Sequence, residues 1–205
     1  MIAASRDPVT GLQIRVGVMG SAGEDMDAGA VALCQRLGRA IGERGCCLLT
    51  GACAGLPHAA VLGTKSVGGH VVGISPAATL REHVDTFHSP YRDYDVLIFT
   101  GLGAMGRELI NIRSSDLVIV VGGRSGTLGE FAIAYEEGKL IGVFTGTGGI
   151  TEAMRDIERH LQKRTGAEVL HEAEPEQLVD RLLARYRSPD YACPCWPGAR
   201  SGEGR

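Results

Sequence analysis

Six residues, Gly122-Gly123-Arg124-Ser125-Gly126-Thr127, join the apolar run Leu117 to Val121 to a stretch of helical periodicity that reaches about Glu137. Glycines let a backbone approach an anion closely, and the first turn of a helix presents free N–H donors with partial positive charge. Ser125 and Thr127 add hydroxyl donors beside those amides. Two more turns of this kind occur, Gly20-Ser21-Ala22-Gly23 and Gly51-Ala52-Cys53-Ala54-Gly55. Any one of them could be no more than a tight strand-to-helix turn. Three at one edge of a sheet favour a ligand with a phosphate group, such as a nucleotide.

Glu130 follows Thr127 by about one helical turn, and Arg107 opens the preceding helix. A carboxylate near a sugar's anomeric carbon can stabilise an oxocarbenium-like transition state or activate water, and an arginine can orient it or clamp a phosphate. The plainer alternative is a Glu favoured by the helix dipole and a solvent-facing Arg. Gly101-Leu102-Gly103-Ala104-Met105-Gly106 is a literal G-x-G-x-x-G between strand and helix. The dinucleotide fingerprint also needs an acid at the end of the next strand, and here that strand ends in Val121-Gly122. NADP at this turn, with Arg124 on its extra phosphate, is the third reading. His58, His83 and His88 could lie near such a pocket, though a histidine there is more often an exposed or satisfied polar residue; Tyr91 and Tyr94 could stack on a base, though packing is their commoner role. Cys53 has too little around it in sequence to be read as a nucleophile.

The elements that must position these residues follow from periodicity. Strands are expected at Ile14 to Met19, Cys46 to Thr50, His70 to Ser75, Asp95 to Thr100, Leu117 to Val121, Leu140 to Phe144 and Glu168 to Leu170. Between them lie amphipathic helices, the first capped by Asp25 or Asp27 and carrying Val31, Cys34, Leu37 and Ile41 on one face. A long helix is expected from near Gly149, and a last one with Leu178, Val179, Leu182, Leu183 and Tyr186 on one side. Pro76 to Asp93 reads as an irregular polar excursion. Strands apolar throughout, alternating with helices, predict an α/β Rossmann-like, doubly wound and mainly parallel sheet with helices on both faces. Residues 1–12 read as a disordered lead-in, 13–188 as one nucleotide-binding domain, and 189–205 as a flexible tail.

With 21 Lys and Arg against 24 acids the net charge is −3, which offers no basic face for nucleic acid. No apolar run is long enough for a bilayer, and the first residues lack the layout of a signal peptide, so a cytoplasmic protein is expected. Of six cysteines, Cys34, Cys46 and Cys47 fall on apolar faces, and Cys193 and Cys195 form an isolated C-x-C. That spacing does not make a zinc site, and no metal or other cofactor is expected.

The Arg107–Glu130 stretch resembles the lonely-guy family of phosphoribohydrolases, long described as lysine decarboxylases, which carries P-G-G-x-G-T-x-x-E preceded by an arginine. Gly122 stands at the Pro, Gly123 and Arg124 at the two glycines, Gly126-Thr127 at the G-T, and Glu130 at the glutamate. Arg107 takes the arginine, and Asp116 also matches. Departures are Gly122 for Pro, Arg124 for Gly, Glu108 for the lysine after the arginine, and a degenerate Gly51 turn. The chain is more similar to the wider SLOG superfamily, whose members include the molybdenum cofactor carrier protein and the nucleotide-binding part of DNA-processing proteins. The resemblance implies hydrolysis of a nucleoside 5′-monophosphate to base and ribose 5-phosphate, with Arg107 and Glu130 catalytic. Gly20, Ser21, Gly51, Gly55, Met105 and Gly122 to Thr127 would then line the ligand, with Met105 against the base. The alternative it implies is a carrier or sensor of a phosphorylated ligand without turnover. It also implies a homo-oligomer, with a helix such as 125–137 between subunits.

Overall fold

The computed structural model describes residues 3–23 and 26–191. Seven strands, β1 (Arg15–Gly20), β2 (Cys47–Thr50), β3 (His70–Ser75), β4 (Val96–Phe99), β5 (Leu117–Val121), β6 (Leu140–Phe144) and β7 (Glu168–Glu172), form one sheet. Its order is β4-β3-β2-β1-β5-β6-β7, and every pairing is parallel. This is an α/β Rossmann-like fold, as the alternation of apolar strands and helices predicts. The all-apolar composition of β5 and β6 has a direct cause: all five residues of each are buried, because helices cover both faces.

The helices are α1 (Ala28–Glu43), α2 (Leu56–Ser66), α3 (Leu80–Asp85), α4 (Gly103–Ser114), α5 (Ser125–Glu136), α6 (Met154–His160) and α7 (Pro175–Arg187). One core layer joins α1, α2 and α7 to the sheet through residues such as Leu37, Ile41, Ile119 and Leu182. The other lies under α4 and α5, around Met19, Ile74, Val118, Ile112 and Phe131. Asp27 caps α1 by accepting from the Ala30 N–H at 2.9 Å. All five residues expected on the inner side of α7 are buried.

Topology places the site. The chain winds outward from β1 to β4, then returns through α4 to β5, beside β1. The carboxyl ends of β1 and β5 are therefore where successive crossovers diverge, and α4 and α5 lie side by side on one face. The helix expected from Gly149 is a 3-10 turn over Gly149–Ala153 before the seven-residue α6, and α3 interrupts the expected irregular segment. Among the described residues no helix is long and apolar enough to cross a membrane.

Residues 3–12, expected as an unstructured lead-in, are tied down. Ser5 N–H donates to the Gly45 carbonyl, and Arg6 bridges Gln13. The Asp7 carboxylate accepts from the Val9 and Thr10 amides at 3.0 and 2.6 Å and from the buried Tyr186 hydroxyl at 2.7 Å. In the tail expected from 189, Tyr191 is buried against Tyr186; Cys193 and Cys195 lie outside the described residues. Burial works to raise the Asp7 pKa, but those hydrogen bonds outweigh it and leave it lowered. The stability this group contributes is therefore present above the unfolded carboxylate pKa and is lost as pH falls through the lowered value. Tyr186→Phe should cost about 1–3 kcal/mol at pH 7 in urea unfolding, with the loss shrinking as Asp7 is protonated. An unchanged midpoint at pH 7 would show that the segment does not dock.

Candidate functional site

Arg107 is the centre of the candidate site. It lies in the second turn of α4, the helix that returns across the sheet, and is only 8% exposed. Its guanidinium lies over the end of β2, where a Cβ on Gly51 would overlap it. Gly51 is required there by space rather than by backbone angle. One guanidinium nitrogen is 3.6 Å from Glu130 Oε1 and the other donates to Cys53 Sγ at 3.5 Å, while Nε is buried without a partner among the described residues. The helix reading of Glu130 as a dipole-favoured surface acid fails: its side chain is 9% exposed and faces α4.

Glu108, unassigned from sequence, is also buried, and it lies beside Gly126 and Gly129 of α5. Burial raises the Glu108 pKa against the pull of Arg107. Burial likewise lifts Glu130, which Arg107 draws down and Glu108 pushes up, to about 7. Two carboxyls and one guanidinium share a partly dehydrated space, so one carboxyl is held near the point of exchanging a proton at neutral pH.

The third turn is braced from both sides. Gly122 and Gly123 take φ of 53° and 92°, which a side chain would oppose. The Gly122 N–H donates to Thr147 Oγ1 at 2.8 Å and the Gly123 N–H to Ser21 Oγ at 2.5 Å. Gly122 and Gly123, expected to hold phosphate, thus have their amides engaged within the chain. The first backbone bond of α5 runs from Leu128 N–H to Arg124 C=O, and no side chain caps the helix. That leaves the amides of Ser125, Gly126 and Thr127 without intrahelical acceptors. Ser125, Gly126 and Arg124 are exposed, whereas Thr127 is buried. No ion pair holds the Arg124 guanidinium among the described residues.

A cleft of about 550 Å³ opens beside this turn, between Ser21–Gly23, Asp27, Leu56, Arg124 and Thr147–Gly149. Thr147-Gly148-Gly149 is a further glycine-bearing turn, after β6, where the sequence predicts only a helix start. Its signal was present as Thr145-Gly146-Thr147-Gly148-Gly149 behind an apolar strand. Of the other expected residues, Gly20 abuts the Val121 carbonyl and Gly55 abuts Ser21, so both serve close backbone packing. Met105 is 73% exposed and is not among the residues that line this cleft. Asp116 binds Arg15 at the amino edge of the sheet, away from the site. His83 is fully buried and structural.

The G-x-G-x-x-G alternative meets two obstacles. It follows β4, an edge strand remote from the switch point, and the Gly101 and Gly103 amides donate to Ala77 and Pro76 carbonyls. Burial raises the thiols of Cys34, Cys46 and Cys47 to about 12, 11 and 11, as for small hydrophobes.

Fold and site together define a Rossmann-like protein with an open helix N-terminus at the switch point and a buried arginine–glutamate pair beside it. The chain belongs to the SLOG cluster4 family, whose model matches residues 13–179. An uncharacterized protein of Archaeoglobus fulgidus is 38% identical over 128 residues, covering 62% of this chain and 78% of the relative. The solved structure of TM1055, a structural-genomics target, superposes with a TM-score of 0.74 at 26% identity, covering 84% of this chain and 99% of that one. The molybdenum cofactor carrier protein of Chlamydomonas reinhardtii superposes with a TM-score of 0.66 at 29% identity, covering 83% and 98%.

Because the Glu130 pKa is raised in the fold, its protonated form favours the native state, and that stabilisation fades as pH rises from about 4.5 through 7. The melting temperature of Glu130→Gln relative to wild type should therefore climb across that interval, by an amount corresponding to about 1–3 kcal/mol. A difference that stays flat with pH would mean Glu130 ionises as an ordinary carboxylate.

Proposed function

We propose that this protein binds a phosphorylated small molecule, a nucleotide or a related cofactor, and holds it without turnover as a carrier or sensor. The phosphate lies over the first turn of α5, and Arg124 closes on it from the cleft side. The uncapped amides of Ser125 to Thr127 beside an unpaired guanidinium carry this reading. Two further features support it. At the switch point α1 is occupied by the carboxylate of Asp27, which disfavours an anion there and directs it to α5. The likeness to the molybdenum cofactor carrier protein also fits a ligand that is held and passed on.

A second reading, phosphoribohydrolase activity on nucleoside 5′-monophosphates, is favoured by the Arg107–Glu130 pair. A carboxyl with a pKa near 7 beside an arginine can protonate a leaving base or orient water at the sugar carbon. Isothermal titration with AMP and other monophosphates, run beside an assay for free base, separates the two. Carriage predicts saturable binding with no base released, and at least about tenfold weaker binding in Arg124→Glu. Base release that falls about a hundredfold or more in Glu130→Gln would establish the hydrolase instead. Neither binding nor release would sink both.

A homo-oligomer forms part of the proposal. The expected interface helix, α5, turns Phe131 and Ala134 inward, whereas exposed apolar side chains collect at Val96 and Ile98 of β4 and at Leu102, Met105 and Leu109 around α4. These apolar side chains can pack against those of a second copy. Met105→Glu should shift the species seen in sedimentation velocity toward monomer. A wild-type protein already monomeric at tens of micromolar would remove the oligomer.

A further inference from the structure

A second cavity, of about 470 Å³, lies on the far side of the Gly51–Gly55 turn, between the start of α2 and residues 88–93. Nothing in the proposed function uses it. Ala54, His58, Tyr91, Arg92 and Asp93 contribute to its wall. The His58 ring meets the Asp93 carboxylate, Nε2 to Oδ2, at 3.2 Å and stacks near Tyr94. Tyr91 is 39% exposed, and Arg92 lies over its ring at 5.6 Å.

The loop forming this wall is set in advance. Buried His83 donates from Nε2 to the Pro90 carbonyl at 3.0 Å, and its Nδ1 accepts from the Ser75 hydroxyl at 2.8 Å. Ser75 is itself the acceptor for the Ala77 N–H, so the chain of bonds has one consistent polarity. A single imidazole thereby ties the loop to the end of β3, and little ordering is left for a ligand to impose.

Side-chain contacts of Arg107 run from α5 toward this cavity. Arg107 touches Glu130 on one side and Cys53 on the other, and Ala54, the next residue, lines the cavity. A phosphate on α5, a sugar or linker over Arg107, and a ring beyond Cys53 would follow one path across the sheet edge.

Resting on the phosphate-binding reading, we propose that this cavity is the ring subsite and that Asp93 selects a heteroaromatic ring carrying a cyclic amidine edge. The 2-amino-4-oxo-pyrimidine half of guanine or of a pterin offers an N–H and an adjacent NH₂ on one edge. A carboxylate accepts from both in a paired arrangement, and His58 holds that carboxylate from the side. Adenine has no such pair of donors. Its ring nitrogen would face the carboxylate, lone pair against negative charge. The Tyr91 ring and its guanidinium partner supply a flat surface for the ring face.

The test is titration of wild type and Asp93→Asn with GMP, AMP, ribose 5-phosphate and free pterin. Asn keeps the shape and a contact to His58 but replaces an acceptor with a donor. Expected are at least tenfold tighter binding of GMP than AMP in wild type, loss of that preference in Asp93→Asn, and unchanged ribose 5-phosphate affinity. Pterin that displaces GMP, and does so only with Asp93 intact, supports the bare ring as the determinant. Equal binding of GMP and AMP in wild type, with no pterin binding, overturns the subsite. So does a loss of ribose 5-phosphate affinity in Asp93→Asn as large as that of GMP, because Asp93 would then act on the fold. Pterin bound through Asp93 while ribose 5-phosphate and GMP fail to bind would overturn the phosphate reading and leave the ring pocket standing.

Discussion

A guanidinium out of water must be met by neighbours, and Arg107 sets this requirement for the whole carboxyl edge of the sheet. Its charge is always present, so the fold has to supply a place with no side chain beneath it, an acceptor beside it and an opposite charge within reach. Gly51 and Cys53 of one turn and Glu130 of α5 meet those needs from two separate segments. The pair is not fully satisfied, since Nε has no partner among the described residues. A buried donor of this kind is where a ligand oxygen gains most, because filling it relieves a cost already present in the free protein.

The same economy of partners explains which glycines of the third turn can serve a ligand. Side-chain hydroxyls from β1 and β6 loops take the amides of Gly123 and Gly122, and the Gly123 carbonyl accepts from Ile150. The three loops are locked together, and the turn becomes a rigid platform rather than the anion cradle itself. The free donors are displaced by two or three residues, to the start of α5. Asp27 performs the opposite service at α1, closing that N-terminus with a carboxylate. One helix start at the switch point is therefore open to an anion and its neighbour is not.

Much of this layout was legible in the residues. The apolar runs gave the strands within a residue or two, since a strand buried on both faces leaves no room for polar side chains. Glu130 and Arg107 were placed at one edge because each begins a helix after a strand, and in a parallel sheet all such starts share an edge. Gly101–Gly106 offered a competing reading for the same reason. The pattern says strand, turn and helix, but not that β4 is an edge strand whose turn amides are taken by Pro76 and Ala77. The docking of residues 3–12 was equally hidden, because Asp7 and Tyr186 are 179 residues apart in sequence.

By itself the sequence determined the alternation of strands and helices, the glycine turns and the presence of an arginine and a glutamate able to face each other. These are local properties, fixed by periodicity and by the absence of side chains. Strand order, the burial that lifts Glu130 to about 7, and the engagement of Gly122 and Gly123 by distant hydroxyls were decided only by the tertiary structure. Each depends on how far water is excluded and on which segments meet across the sheet, and neither is written in the neighbours of a residue along the chain.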